Sequence, residues 1–99
     1  MYSTNNLSKM GKIAELVPDA MAKFREWDKA ALTAGAIPKK YKELMAVAVA
    51  LTTQCPYCVE IHRQGAVDSG ASEQELAEVI QVAAALRAGG AITHGTHLL

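Results

Sequence analysis

Apolar positions recur at steps of three and four residues in several stretches of this chain, and each stretch is framed by residues that start or stop helices. The first begins at Pro18. Met21, Phe24, the Trp27/Asp28 turn, Ala31 and Leu32 form one stripe, with Asp19 in the first turn and Gly35 where a C-terminal cap belongs. A helix over 18–34 is predicted, with that stripe in the core. A second segment, PKKYKELMAVAVALTTQ, predicts a helix over 38–53. Its middle alternates from Met45 to Leu51 as a strand would, but the alternating small residues are all Ala, poor strand formers, and the YKELM entry is strongly helical. Pro56 follows Cys55 as a first helical residue follows an N-cap, which predicts a third helix over 56–69 ending at Gly70. Ser72 and Glu75 make a capping box for a fourth over 73–88, with Leu76, Val79, Ile80, Ala83 and Leu86/Arg87 on one side and Gly89-Gly90 as its stop. Residues 1–16 are expected to be loose, becoming ordered toward Pro18, and the tail AITHGTHLL has the length for a short fifth helix. The fold class is all-α.

Composition changes this picture in one respect. The 99 residues suit a single domain spanning 1–99, but 18 of the 50 hydrophobic residues are Ala and only five residues are aromatic. Alanine lets helices approach closely yet buries little area, so a core this thin predicts a homo-oligomer. Ten basic residues balance ten acidic ones, which argues against a nucleic-acid partner. The longest apolar run, Leu44 to Leu51, is far short of the roughly 20 residues of a membrane span, so no membrane partner is expected. The opening MYSTNNLSKMGK has no apolar signal region, and the two cysteines do not suggest a secreted disulfide framework. A cytoplasmic location is expected.

Candidate chemistry gathers around the third predicted helix. Cys55 and Cys58 are three residues apart, and His62 lies four beyond Cys58, so all three share one helix face. At a helix start, free N–H groups and the macrodipole favour thiolate over thiol, and the spacing allows a disulfide. His62 can serve as a base toward Cys58 or stabilise its thiolate as imidazolium. Glu43 is the nearest acidic candidate to orient that histidine, but whether it reaches the site depends on the turn angle between the second and third helices. Alone it reads as a solvated surface charge. Tyr57 either shapes the thiol pocket or packs. A zinc site would need Cys55, Cys58 and His62 with His94 or His97, although three ligands on one short helix face do not usually surround a tetrahedral ion. Otherwise His94 and His97 read as exposed tail residues, and no metal or cofactor is expected.

Cys55-Pro-Tyr-Cys58 is also the tetrapeptide of glutaredoxins, but no proline follows it here and no strands do, so that resemblance stops at four residues. The wider spacing resembles the AhpD-like alkylhydroperoxidases of the carboxymuconolactone decarboxylase family. Their signature of Glu, eleven residues, Cys-x-x-Cys, three residues and His reads here as Glu43, LMAVAVALTTQ, Cys55-Pro-Tyr-Cys58, Val-Glu-Ile and His62. The likeness covers about residues 35 to 90. It implies an all-helical fold with the cysteines at a helix N-terminus, assembly into trimers or hexamers, and a thiol-dependent peroxidase. In that reading Glu43 and His62 relay a proton from Cys58, Cys58 attacks a hydroperoxide, Cys55 resolves the sulfenic acid as a disulfide, and a lipoyl-type or protein dithiol restores the pair. Two departures stand out: the chain is about one motif unit long, and Tyr57 stands where members can have His. Decarboxylases of the superfamily generally lack the thiol pair, so Cys55 and Cys58 argue against lactone decarboxylation. The alternatives are a zinc-stabilised binding or scaffold module, a redox-sensing module that changes oligomer state without turnover, and a carboxymuconolactone-decarboxylase-type enzyme.

Overall fold

The computed structural model describes residues 3–99. A 3-10 turn, Thr4–Ser8, runs into α1 (Lys9–Leu16), and then come α2 (Pro18–Leu32), α3 (Lys39–Thr53), α4 (Pro56–Asp68) and α5 (Glu73–Gly95), closed by a 3-10 turn at Thr96–Leu98. Among the described residues there is no strand. The alternating MAVAVAL stretch is helical, as its alanines and its YKELM entry predict. The N-terminus departs from expectation. It is helical from Thr4 to Leu16, broken only at Val17, where the following Pro18 disfavours helical backbone. Met1 and Tyr2 of that stretch lie outside the described residues.

Two further boundaries differ. α2 stops at Leu32 with Thr33 as its extended C-cap, so Gly35 is not the cap. α5 runs through Gly89-Gly90 to Gly95. Glycine permits a left-handed stop without compelling one. A helical glycine costs only about 1 kcal/mol relative to Ala, and the alanines around this pair favour continuation. Left-handed backbone occurs, among the described residues, only at Gln54 and Gly70. Gln54 turns the chain tightly from α3 into α4. Gly70 (φ 96°) closes α4, with the Ala71 N–H reaching back to the Ala66 carbonyl at 2.9 Å. The predicted capping box is formed, Ser72 and Glu75 each satisfying the other's backbone N–H.

α3 is the centre. It packs against α4 as an antiparallel hairpin and against α5. Lys40 pairs with Glu75 at 3.0 Å, and twelve residues on along both helices Arg87 donates to the Thr52 carbonyl. α3 and α5 therefore run parallel in matched register. The buried residues come from these three helices: Glu43, Leu44, Val47 and Ala50 of α3, Ala66 of α4 and Ala83 of α5. α2 contributes none. Its stripe, expected in the core, leaves Phe24 and Trp27 exposed and Met21 and Leu32 half-buried, because among the described residues α1 and α3 cover it only in part.

Candidate active site

Cys55 is the N-cap of α4, with Pro56 at the first helical position where a missing N–H is harmless. Its Sγ accepts the Cys58 N–H at 3.3 Å, the bond an oxygen side chain makes at an ordinary cap. Cys55 and Cys58 are joined as a disulfide. One turn further, His62 projects from the same face of α4 toward α3.

The turn at Gln54 settles what periodicity leaves open. It folds α4 back along α3 so that Glu43, far from Cys55 in sequence, lies against His62, with Glu43 Oε2 2.8 Å from His62 Nδ1. The bonds of Glu43 go to His62 and Lys39 rather than to a cysteine. Read alone as a solvated charge, Glu43 is instead only 5% exposed. A buried carboxylate needs partners on both oxygens, and Oε1 pairs with Lys39 Nζ at 2.9 Å, one turn earlier on α3. Burial is the largest single influence on this carboxyl and pushes its pKa up, but the hydrogen bonds and charges of Lys39 and His62 together outweigh it. The pKa ends below the usual glutamate value. With Nδ1 committed to Glu43, the other ring nitrogen, Nε2, is the one left for proton traffic.

Two residues of this arrangement escape a reading of the motif. Lys39 is one; its i,i+4 spacing from Glu43 was the available signal, and its Nζ also donates to the Leu32 carbonyl at 3.1 Å, at the end of α2. Gly65 is the other. A Cβ there would lie 2.7 Å from both Cδ and Oε2 of Glu43, so glycine makes the space in which the carboxylate sits. Tyr57 does more than pack. Its hydroxyl accepts the Ser3 N–H at 3.3 Å and Asn6 Nδ2 at 3.0 Å, holding the N-terminal 3-10 turn beside the disulfide.

Depressions open on either side of the cysteine pair. One, of about 280 Å³, is lined by Ala46, Val49, Ala50, Thr53, Cys58 and His62. The other, of about 270 Å³, is lined by Asn6, Leu7, Met10, Cys55, Tyr57 and Cys58. His94 and His97 stack edge to face with each other, 5.0 Å between ring centres. Among the described residues no group of three or more His, Cys, Asp and Glu side chains is placed to hold a metal ion, so the four-ligand zinc set is not assembled.

Comparison with known proteins places the chain as a whole. The model of the carboxymuconolactone decarboxylase family matches residues 18–99. The chain belongs to that family. A carboxymuconolactone decarboxylase family protein from Legionella pneumophila, solved in its apo form, superposes with a TM-score of 0.80 at 32% identity, covering 93% of this chain and 82% of that one. A protein from Methanobacterium thermoautotrophicum gives a TM-score of 0.82 at 30% identity, covering 88% and 98%. In sequence, the chain is 45% identical over 76 residues to uncharacterized protein 4 in the cox locus of Paracoccus denitrificans, spanning 77% of this chain and 68% of that protein. It is 36% identical over 74 residues to an uncharacterized protein of Cupriavidus necator, spanning 75% and 66%. The carboxymuconolactone decarboxylase family includes both decarboxylases and AhpD peroxidases, and this member carries the cysteine pair.

Proposed function

We propose that the chain is a thiol-dependent peroxidase of AhpD type, with Cys58 as the attacking thiol, Cys55 as the resolving thiol, and His62 and Glu43 as the proton relay. The observation that carries the reading is the 2.8 Å contact between Glu43 and the imidazole that shares a depression with Cys58. Glu43, anionic and buried, fixes the ring and stabilises the imidazolium that forms when His62 takes the Cys58 proton. The Cys58 thiolate attacks one peroxide oxygen, the O–O bond breaks, and the alkoxide leaves with a proton from His62. Cys58 is then a sulfenic acid. The Cys55 thiol attacks Cys58 Sγ, water departs, and the disulfide is formed. A dithiol reductant, lipoyl-type or a protein thiol, restores the pair. Cys55 depends on α4 itself for stabilisation of its thiolate, through the Cys58 N–H and the helix terminus, so the two sulfurs use different devices.

Assembly is part of the proposal. The accessible surface is 7414 Å², against roughly 5,400 Å² for a compact monomer of this mass, and the radius of gyration is 16.1 Å, against roughly 13 Å. An excess of roughly 2,000 Å² per chain is of the size obligate subunits bury, which supports a homo-oligomer, trimer or hexamer. A pair restored by a dithiol reductant suits a reducing compartment, and the cytoplasm is the location proposed. Neither a nucleic acid nor a membrane enters the scheme.

Turnover of hydrogen peroxide and of an alkyl hydroperoxide with dihydrolipoamide tests it. The native protein consumes peroxide, Cys58→Ser and Cys55→Ser do not, and His62→Gln loses about 10²–10⁴-fold, the usual worth of general acid–base catalysis. Native rates in both cysteine variants would remove the assignment.

A further inference from the structure

The disulfide separates its surroundings. Of these two depressions, Cys55 lines the one on the N-terminal side, His62 lines the one between α3 and α4, and Cys58 borders both. Displacement at a disulfide sulfur runs in line: the entering group approaches along the S–S axis from the side opposite the departing sulfur. Attack on Cys55 Sγ therefore comes from beyond Cys55, on the N-terminal side. The same rule governs formation of the bond, in which Cys55 enters at Cys58 Sγ and oxygen leaves on the far side, toward the depression shared with His62.

We propose that the two co-substrates use opposite ends of this axis: the peroxide is handled at the Cys58 end beside His62, and an aliphatic dithiol reductant enters at the Cys55 end, in the cleft walled by Asn6, Leu7, Met10 and Tyr57. The oxidative end rests on the peroxidase reading above; the reductive end rests on the disulfide alone. Leu7 and Met10 give that cleft flexible apolar walls suited to methylenes, and about 270 Å³ accommodates a slender chain. Tyr57 builds the cleft, because its hydroxyl holds Asn6 and the Ser3 N–H and so fixes the turn that bears Leu7.

The chemistry balances with a dithiol. One reductant thiolate attacks Cys55 Sγ, a mixed disulfide forms, and the Cys55–Cys58 bond breaks with its electron pair leaving on Cys58 Sγ. That sulfur is the one beside His62, whose imidazolium supplies the proton. The second reductant thiolate then attacks the reductant sulfur of the mixed disulfide, the electron pair returns to Cys55, and Cys55 takes a proton. The reductant leaves as a cyclic disulfide. Two electrons and two protons have passed to the protein, and Cys58 is again next to its base.

The native protein tests the attacked sulfur without any substitution. Oxidised protein is treated with the monothiol cysteamine, quenched with iodoacetamide and mapped by tandem mass spectrometry. Cysteamine on Cys55 with carbamidomethyl on Cys58 is expected; the reverse pattern overturns the proposal. The entry side is read by stopped flow. Met10→Trp, which fills the cleft, should slow reduction of the disulfide by dihydrolipoamide at least tenfold and slow peroxide oxidation of the prereduced protein far less. An unchanged dihydrolipoamide rate would sink the cleft assignment. Faster reduction by thioredoxin than by dihydrolipoamide at equal concentration, untouched by Met10→Trp, would overturn the aliphatic occupant. A protein that fails to consume peroxide ends the peroxidase reading yet leaves the cysteamine map and the reduction rates fully interpretable.

Discussion

In the hairpin of α3 and α4, Leu44, Val47, Ala50 and Ala66 are buried around a carboxylate that is buried with them; in α2, whose apolar stripe is just as regular, no side chain is. The hairpin has α5 to close it and a tight left-handed turn at Gln54 to hold its two helices together. Among the described residues α2 packs chiefly on α1 and the start of α3, where Lys39 and Lys42 donate to the carbonyls of Ala31, Leu32 and Thr33 at its end. Cations at a helix C-terminus secure its position while leaving its flank open. The contrast teaches that the candidate site is assembled within one chain, whereas that chain leaves the apolar flank of α2 open.

The largest effect expected from breaking this contrast is on stability of the hairpin. Leu44 is 8% exposed, and Leu44→Ala removes a core side chain with little freedom for collapse among alanines, so unfolding free energy should fall by about 2–5 kcal/mol. Chemical denaturation measures it. A loss below about 1 kcal/mol would mean that the hairpin is no better packed than α2.

Next in size is a change at Gly65 that separates site from scaffold. Alanine there gains about 1 kcal/mol in helix propensity, while its Cβ displaces the Glu43 carboxylate from its place against His62. The two terms act on different observables. Peroxide turnover should drop about tenfold, near 1.4 kcal/mol in the barrier, with unfolding free energy within about 1 kcal/mol of native. Turnover at the native rate would show that the glycine is a packing feature only.

How much of this was legible beforehand depends on which physical rule a residue obeys. Capping at Ser72, Pro18 and Pro56 is local chemistry, and the starts of α2, α4 and α5 follow it. Local also was the common face of Cys55, Cys58 and His62. The burial of Glu43 was not, since it depends on the Gln54 turn, a left-handed residue that is not glycine and leaves no mark in periodicity. Gly89-Gly90 misled because a permissive residue resembles a stop when its neighbours are ignored. The α2 stripe misled for another reason: an apolar stripe marks a face that can be covered, without requiring that the rest of this chain cover it.

Acid stability sharpens the account of Glu43 with a smaller effect. Its folded pKa lies below its unfolded one, so the stability it contributes is complete above the unfolded value of about 4.3 and is lost as pH falls through the lower folded value. Glu75 is lowered too, by its bond to the Ser72 backbone and by Lys40, so the native protein and Glu43→Gln should both weaken on acidification. The native protein should weaken more steeply below about pH 4.3, and Lys39→Met should fall between them. Thermal melts from pH 3 to 6 read the difference. Equal slopes in native and Glu43→Gln protein would mean that the buried carboxylate contributes nothing.

The smallest effect on the fold of the chain itself is expected on α2. Trp27 is 74% exposed, so Trp27→Glu should leave the stability of the isolated chain within about 0.5 kcal/mol. Its consequence should fall on assembly. A buried partner face tolerates no unpaired carboxylate, so sedimentation at micromolar concentration should move toward the single-chain mass while helical circular dichroism persists. A bilayer is the rival cover, because Glu73–Leu98, α5 with the following turn, is long enough to cross one and contains an 18-residue window with a mean hydropathy of 1.3. Arg87 lies near the middle of that stretch, where a charge costs about 2.5–3.5 kcal/mol in a membrane, and here it is bonded to Thr52 of α3. The proposed cover, a second chain, would leave this bond intact. Unchanged mass for Trp27→Glu, together with flotation of the native protein on lipid vesicles, would transfer the exposed surface from the subunit interface to the membrane.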